Sequence, residues 1–259
     1  MMKIPPGFVW FEQQIAEAKF CGLLREGFAD AVTECCRRID GKPDAVCKDR
    51  AKIRAVLVGD FFVKRYNLPG WWNQLRRPWR GGRPERVLLV TETLLAHELM
   101  AVPVVAALSE KSASGIRDYL ITEIFPAGMC EADKVLPLPG SDDGGWQQLL
   151  TGILPVVAQW HNAGVEHGDL NLRNICVTAD FSQVCPIDLD GGIIHRRRLP
   201  PGAVVRELGR LASAFFLAYQ GIPPETLAAD ICRSYHDLTG LSCDRRQVLK
   251  RMNYLLGER

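Results

Sequence analysis

No stretch of this sequence stays apolar for the roughly 18 to 20 residues that a membrane-spanning helix needs. The longest apolar runs, Ala101–Leu108 and Leu211–Tyr219, fall well short. The N-terminus, MMKIPPGFVWFEQQIAEAKF, lacks the continuous apolar core and small-residue cleavage site of a secretory leader, so export is not expected. A charge surplus is also missing. With 32 basic and 30 acidic residues the formal net charge is +2, which gives no chain-wide reason to bind nucleic acid. Nine cysteines are present, yet the count is odd and no CxxC pair occurs, which argues against a zinc ribbon or a disulfide framework and for reduced thiols in a cytosol. There is no internal repeat and no low-complexity tract. What the chain does have is core material, 47% hydrophobic over 259 residues, enough for one large domain or two lobes.

From Phe8 to about Arg38, apolar residues at Phe11, Ile15, Phe20, Leu24, Phe28 and Val32 recur at helical spacing, predicting one or two amphipathic helices that end at Gly41-Lys-Pro43. The period then changes. Ile53–Val58 and Phe61–Tyr66 read as strands joined by a Gly59-Asp60 turn, a β-hairpin with Lys64 on its second strand. Residues 70–86, GWWNQLRRPWRGGRPER, hold five arginines and three tryptophans against one acid and read as a basic aromatic loop. A helix over about Glu85–Met100 and strands at Pro103–Leu108 and Asp118–Phe125 follow. Beyond the Pro/Gly-rich stretch Val135–Gly145, the best candidate for a lobe boundary, the chain turns mainly helical. Helices are expected at Trp146–Asn162, Ala203–Tyr219, Pro224–Tyr235 and Arg245–Leu256, with short strands at Ile175–Thr178 and Val184–Asp188. These readings divide the chain into an N-terminal helical extension (1–43), a small β-rich lobe (44–127) and a larger helical lobe (128–259).

The segment richest in chemistry is His167-Gly-Asp-Leu-Asn-Leu-Arg-Asn174, followed by Ile187-Asp-Leu-Asp190, whose first aspartate lies fourteen residues beyond Asn174. A loop carrying Asp169 and Asn174, and a hairpin that returns Asp188 beside them, gather two carboxylates and an amide at one edge, a hard-oxygen set suited to Mg²⁺ and phosphate. Asp169 alone could be a turn former, but the joint spacing argues against a purely structural set. Taken singly, Lys64 reads as a solvated strand lysine and Glu92 as half of an exposed helix salt bridge. His161 and His167 lack a third nitrogen or sulfur ligand at metal spacing, so His167 reads as a brace for the loop.

HGDLNLRN with IDLD resembles the catalytic loop and metal-binding motif of the protein-kinase-like superfamily, and HxDLNxxN with IDxD is most similar to the bacterial Kdo/heptose lipopolysaccharide-core kinases. Val63-Lys-Arg-Tyr and Ile121-Thr-Glu fit that branch, and the resemblance extends over roughly residues 46–220. It implies an α+β, two-lobed kinase fold that uses ATP and Mg²⁺ between its lobes. Asp169 would be the catalytic base, and Lys64 would contact the nucleotide phosphates with Glu92, ahead of Glu98 or a loop-borne Glu85, as its ion-pair partner. Asn174 and Asp188 would hold metal, and Ile121–Phe125 would be the hinge, with Glu123, Ile124 and Phe125 at the nucleotide.

Departures from protein kinases sharpen the substrate. No GxGxxG precedes Lys64, so phosphate covering falls to backbone amides near Val46–Lys52 or to the basic loop. Gly168 replaces the arginine that reads a phosphorylated activation loop, and Asp190 replaces the glycine of the metal motif. Asn171 replaces a lysine at the transferred phosphoryl group, whose charge Arg173 could supply. The segment after Asp190 is too short to dock a peptide, so a sugar or other small hydroxyl is expected. Trp71, Trp72 and Trp79 with Arg76, Arg77, Arg80, Arg83 and Arg86 suit a phosphorylated, lipid-linked saccharide at an anionic membrane surface. The expected protein is a cytoplasmic monomer, peripherally bound to the inner face of the cytoplasmic membrane, that phosphorylates lipopolysaccharide core or a related glycolipid. The alternatives are an aminoglycoside- or choline-type kinase and a pseudokinase scaffold in envelope biogenesis.

Overall fold

The computed structural model describes residues 4–67, 82–112, 115–135, 145–219 and 221–257. The chain divides into two compact units, Met1–Glu92 with Val102–Phe125, and Thr93–Ala101 with Pro126–Arg259.

The first unit is built on a seven-stranded antiparallel sheet. Its strands are β1 (Phe8–Ile15), β2 (Ala18–Arg25), β3 (Ala45–Arg50), β4 (Ile53–Val58), β5 (Phe61–Asn67), β6 (Val104–Ser112) and β7 (Gly115–Glu123), in the spatial order β1-β2-β6-β7-β5-β4-β3. Helix α1 (Ala29–Arg38) lies between β2 and β3 in sequence, and α2 (Arg83–Ala96) between β5 and β6. The expected Gly59-Asp60 hairpin forms, with Val58 paired to Phe61. Gly59 takes φ +57, a left-handed conformation that suits glycine, and its N–H donates to the Asp44 carboxylate at 2.6 Å.

The N-terminal segment corrects the sequence reading. Residues 8–25 form the hairpin β1–β2, which extends the sheet beyond β6, and only Ala29–Arg38 is helical. Phe11 and Ile15, like Phe20 and Leu24, are four residues apart. That interval returns to one face of a helix and equally to one face of a strand, so spacing alone could not separate the two. A helical extension distinct from the small lobe is therefore not what residues 8–43 make. They form two strands of its sheet and a helix that covers one face.

That face is a continuous core. Val32, Cys35 and Cys36 of α1, with Ile39, pack among Phe11, Phe20, Leu24, Val56, Val58, Val63, Tyr119 and Ile121. Burying each such side chain contributes about 1.5 to 3 kcal/mol. Val63 belongs to this side, and Arg65, two residues on, pairs with Asp40 just after α1. Strand alternation therefore turns Lys64 and Tyr66 to the opposite face.

The second unit is mainly helical, with α3 (Gly145–Asn162), α4 (Pro201–Ala218), α5 (Pro224–Thr239) and α6 (Arg245–Gly257). Helices α4 and α6 approach closely: a Cβ added at Gly209 would lie 2.6 Å from Arg251 Cγ. Two small sheets complete the unit. Strand β10 (Ile175–Thr178) lies between β11 (Val184–Pro186) and β8 (Met129–Glu131), and β9 (Val165–Glu166) pairs with β12 (Ile193–Ile194). Among the described residues no helix is long and apolar enough to cross a membrane.

Candidate active site

The loop His167–Asn174 runs from β9 into β10, and its side chains fix one another. Asn174 Nδ2 donates to the Asp169 carbonyl at 2.9 Å and to Asp169 Oδ2 at 3.1 Å. Asn171 Nδ2 donates to the same carbonyl at 3.0 Å, while Asn171 Oδ1 accepts the Arg173 N–H at 3.0 Å. With both amide hydrogens of Asn174 directed at Asp169, its Oδ1 is the atom left to meet a cation. The β10–β11 hairpin then delivers the second carboxylate. Ile175 pairs with Pro186, and the Ile187 N–H donates to the Asn174 carbonyl at 2.9 Å, which sets the Asp188 backbone beside Asn174. Asp188 sits at φ 55, ψ 51, a left-handed conformation that costs a non-glycine residue about 1 kcal/mol or more.

Beneath this loop lies a residue the sequence reading missed. Glu207 of α4 is fully buried and accepts the backbone N–H of His167 at 2.8 Å and of Gly168 at 3.2 Å, with Arg210 Nη1 3.5 Å away. Burial pushes its carboxyl up to about 7, against the two N–H donors and Arg210, which favour the charged form. A signal existed: Glu207 falls on the apolar stripe of α4 with Ala203, Val204, Leu208 and Leu211, where a charged residue needs a partner. One residue further along the loop, Gly168 takes φ +84, and a Cβ there would lie 2.1 Å from the Gly191 carbonyl oxygen. This close approach is the physical reason no side chain stands at 168.

His167 is buried, with Nε2 3.4 Å from the Asn174 carbonyl and Nδ1 3.4 Å from the Asp169 N–H. Burial lowers its pKa, so the ring is neutral, a brace and not a charge. His161 is also lowered by burial, to about 3, and its Nδ1 lies 3.0 Å from the Tyr235 hydroxyl. Glu166, next to the loop, is clamped by His195 Nε2 at 2.9 Å and by two nitrogens of Arg206.

The other expected residues fall in both units. Lys64 is only 7% exposed, its ammonium 5.3 Å from the Tyr66 ring centroid. Glu92, the expected partner of Lys64, pairs with Arg25 Nη2 at 2.9 Å, an arginine of the N-terminal hairpin. Glu85 lies in the first turn of α2 and not in the preceding loop. Arg173, the expected cation at the transferred phosphoryl group, has its Nε 3.0 Å from Asp133 Oδ2 and is otherwise largely exposed. In the expected hinge, the Glu123 N–H donates to the Pro103 carbonyl and the Ile124 N–H to the Asp60 carbonyl. Those two donors are spent inside the unit, while the Ile124 and Phe125 side chains are exposed. Residues 46–50, expected to cover phosphate, lie in the edge strand β3. Trp71, Trp72, Trp79, Arg76, Arg77 and Arg80 lie outside the described residues, whereas Arg83 and Arg86 belong to α2.

The donor set fits a hard divalent ion. Asn174 Oδ1 and the Asp188 carboxylate are hard oxygen donors, and Mg²⁺ takes one or two protein carboxylates with water and phosphate completing its shell. In the second unit an asparagine clamps an aspartate and a further carboxylate follows the next hairpin, the sheet of the first unit buries a lysine, and the fold is protein-kinase-like. A family model described as the lipopolysaccharide kinase (Kdo/WaaP) family matches residues 73–228, and the chain belongs to that family. It is a kinase related to lipopolysaccharide biosynthesis. Among solved structures it is similar to WaaP in complex with acyl carrier protein (TM-score 0.55, 17% identity, 83% of this chain and 98% of that one). It also matches WbdD bound to a kinase inhibitor (0.48, 14%, 81% and 44%) and the PknI kinase domain of Mycobacterium tuberculosis (0.46, 15%, 82% and 94%). No curated protein sequence matches it.

Proposed function

We propose that this chain transfers the γ-phosphoryl group of ATP, with Mg²⁺, to a sugar hydroxyl of lipopolysaccharide core, Kdo or heptose, or of a related glycolipid. The observation that carries the reading is the clamp of Asn174 on Asp169, with Asp188 brought alongside by the Ile187–Asn174 bond. In the proposed reaction Asp169 orients the acceptor hydroxyl and takes its proton as the oxygen attacks. The Asn174 amide keeps the carboxylate turned toward that hydroxyl, and the Glu207 bonds keep the loop backbone from shifting. Asn174 Oδ1 and Asp188 would hold the metal ion, whose contribution is to neutralise charge on the phosphates. Lys64 would add a positive charge on the nucleotide phosphates. Arg173, largely exposed in its pair with Asp133, would supply the second positive charge at the transferred group. The arginine-rich segment 76–86, with Trp71, Trp72 and Trp79, would meet anionic glycolipid at the cytoplasmic face of the membrane.

The test is transfer itself. Purified chain, ATP, Mg²⁺ and dephosphorylated core saccharide should yield acceptor heavier by one phosphate, and glycolipid from cells lacking the gene product should be lighter by the same group. Nucleotide binding without transfer to any core saccharide would overturn the proposal in favour of a scaffold.

A further inference from the structure

Away from the catalytic loop, α5 and the segment that follows it bring two thiols together. Cys232 lies on the buried face of α5 with Leu227, Ala228, Ile231 and Tyr235. The helix ends at Gly240, at φ +68, whose N–H donates to the His236 carbonyl at 2.7 Å, and the Leu241 N–H donates to Thr239 Oγ1 at 3.1 Å. Asp244 then caps α6, accepting the N–H of Arg246 at 2.9 Å and of Gln247 at 3.3 Å. This reversal places Cys243 Sγ 3.2 Å from Cys232 Sγ. Cys243 also lines a cavity of about 380 Å³ with Pro201, Gly202, Val204, Asp244 and Gln247, which gives a small solute a route to the pair.

We propose that Cys232 and Cys243 form a reversible, peroxide-driven disulfide that locks α5 to the start of α6. Three other buried thiols, Cys35, Cys36 and Cys176, are pushed up by burial, whereas the hydrogen bond between the two sulfurs lowers Cys232 and raises Cys243. Thiolate character is what makes a cysteine attack peroxide. Cys232 sulfur attacks one peroxide oxygen, the S–O bond forms, the O–O bond breaks, and the departing hydroxide is protonated to water, leaving a sulfenic acid. Cys243 sulfur then attacks Cys232 sulfur, the S–S bond forms, the S–O bond breaks, and the Cys243 proton leaves with the hydroxide as a second water. Both sulfurs are oxidised and one peroxide is reduced.

The exposed Cys47 serves as the internal reference. Full-length chain treated with hydrogen peroxide should give, on digestion without reductant, a linked Cys232–Cys243 peptide two hydrogens lighter than its parts, and reductant should restore both. Closing this short loop should raise Tm by about 5 °C. Cys232→Ser and Cys243→Ser should each abolish the linkage and the rise, and Cys243→Ser should leave a dimedone-reactive sulfenic acid at Cys232. Recovery of both cysteines unlinked from wild type, at a dose that oxidises Cys47, would overturn the proposal even if neither variant folds.

Discussion

The loop His167–Asn174 and the Val46–Lys52 stretch of the hairpin β3–β4 were both expected to meet phosphate chemistry, and they are built in opposite ways. In the loop, Asp169 is held by Asn171 and Asn174, and the His167 and Gly168 N–H groups are held by a buried carboxylate 40 and 39 residues along the chain. In β3 all six residues are exposed, the strand lies at the sheet edge, and its pairing with β4 shifts register between Val46 and Lys48. The difference teaches where accuracy is needed. A proton acceptor and its metal ligands must hold position within a fraction of an ångström, a demand that an exposed edge strand does not meet.

The strongest way to break this comparison is at the proton acceptor. Asp169→Asn keeps an acceptor for the Asn174 amide but removes the base, and phosphoryl transfer should fall by roughly 10² to 10⁴ while nucleotide binding persists. Turnover compared with binding by calorimetry checks this, and unchanged turnover would remove Asp169 from the chemistry. Next comes Gly168→Ala. Both the left-handed φ and the 2.1 Å approach to the Gly191 carbonyl oppose a methyl group, so the denaturant midpoint should drop by the equivalent of about 2 kcal/mol or more, and transfer should be lost.

How much of this was legible follows from where each restraint lies in the sequence. Asp169, Asn174 and Asp188 stand within 19 residues of one another, so their spacing alone announced the loop and the hairpin that follows. Glu207 is remote, and its role depends on α4 passing beneath the loop, which no local pattern encodes. The Arg25–Glu92 pair was hidden for a related reason. It exists because residues 18–25 form a strand, and the even spacing of their apolar residues had read as a helix.

Glu207 also gives the comparison a pH dependence. Its carboxyl rises from an ordinary 4.5 to about 7 on folding. Between those values the folded chain holds a proton that the unfolded chain has released, so the stability it confers is complete below about 4.5 and lost as pH rises through 7. Glu207→Gln does not titrate, so wild type should lose about 3 kcal/mol relative to it across that window. His161, lowered to about 3, acts with the opposite sign in both proteins: its contribution is present above about 6.5 and lost as pH falls toward 3. Denaturation of the two proteins at matched pH values isolates the Glu207 part, and a flat difference would show that the carboxylate titrates normally.

The smallest effect belongs to the hairpin and serves as the contrast. Val46 on β3 is 53% exposed, and Val63 on β5 is fully buried in the core under α1. A threonine at 46 leaves its hydroxyl in water and should change stability by no more than about 0.5 kcal/mol. The same substitution at 63 buries a hydroxyl among Val56, Val58 and Ile121, costing about 1 to 3 kcal/mol. Paired melts of Val46→Thr and Val63→Thr measure this directly. Equal losses would mean that β3 is packed as firmly as the strand carrying Lys64, and that the edge is not the permissive element its exposure implies.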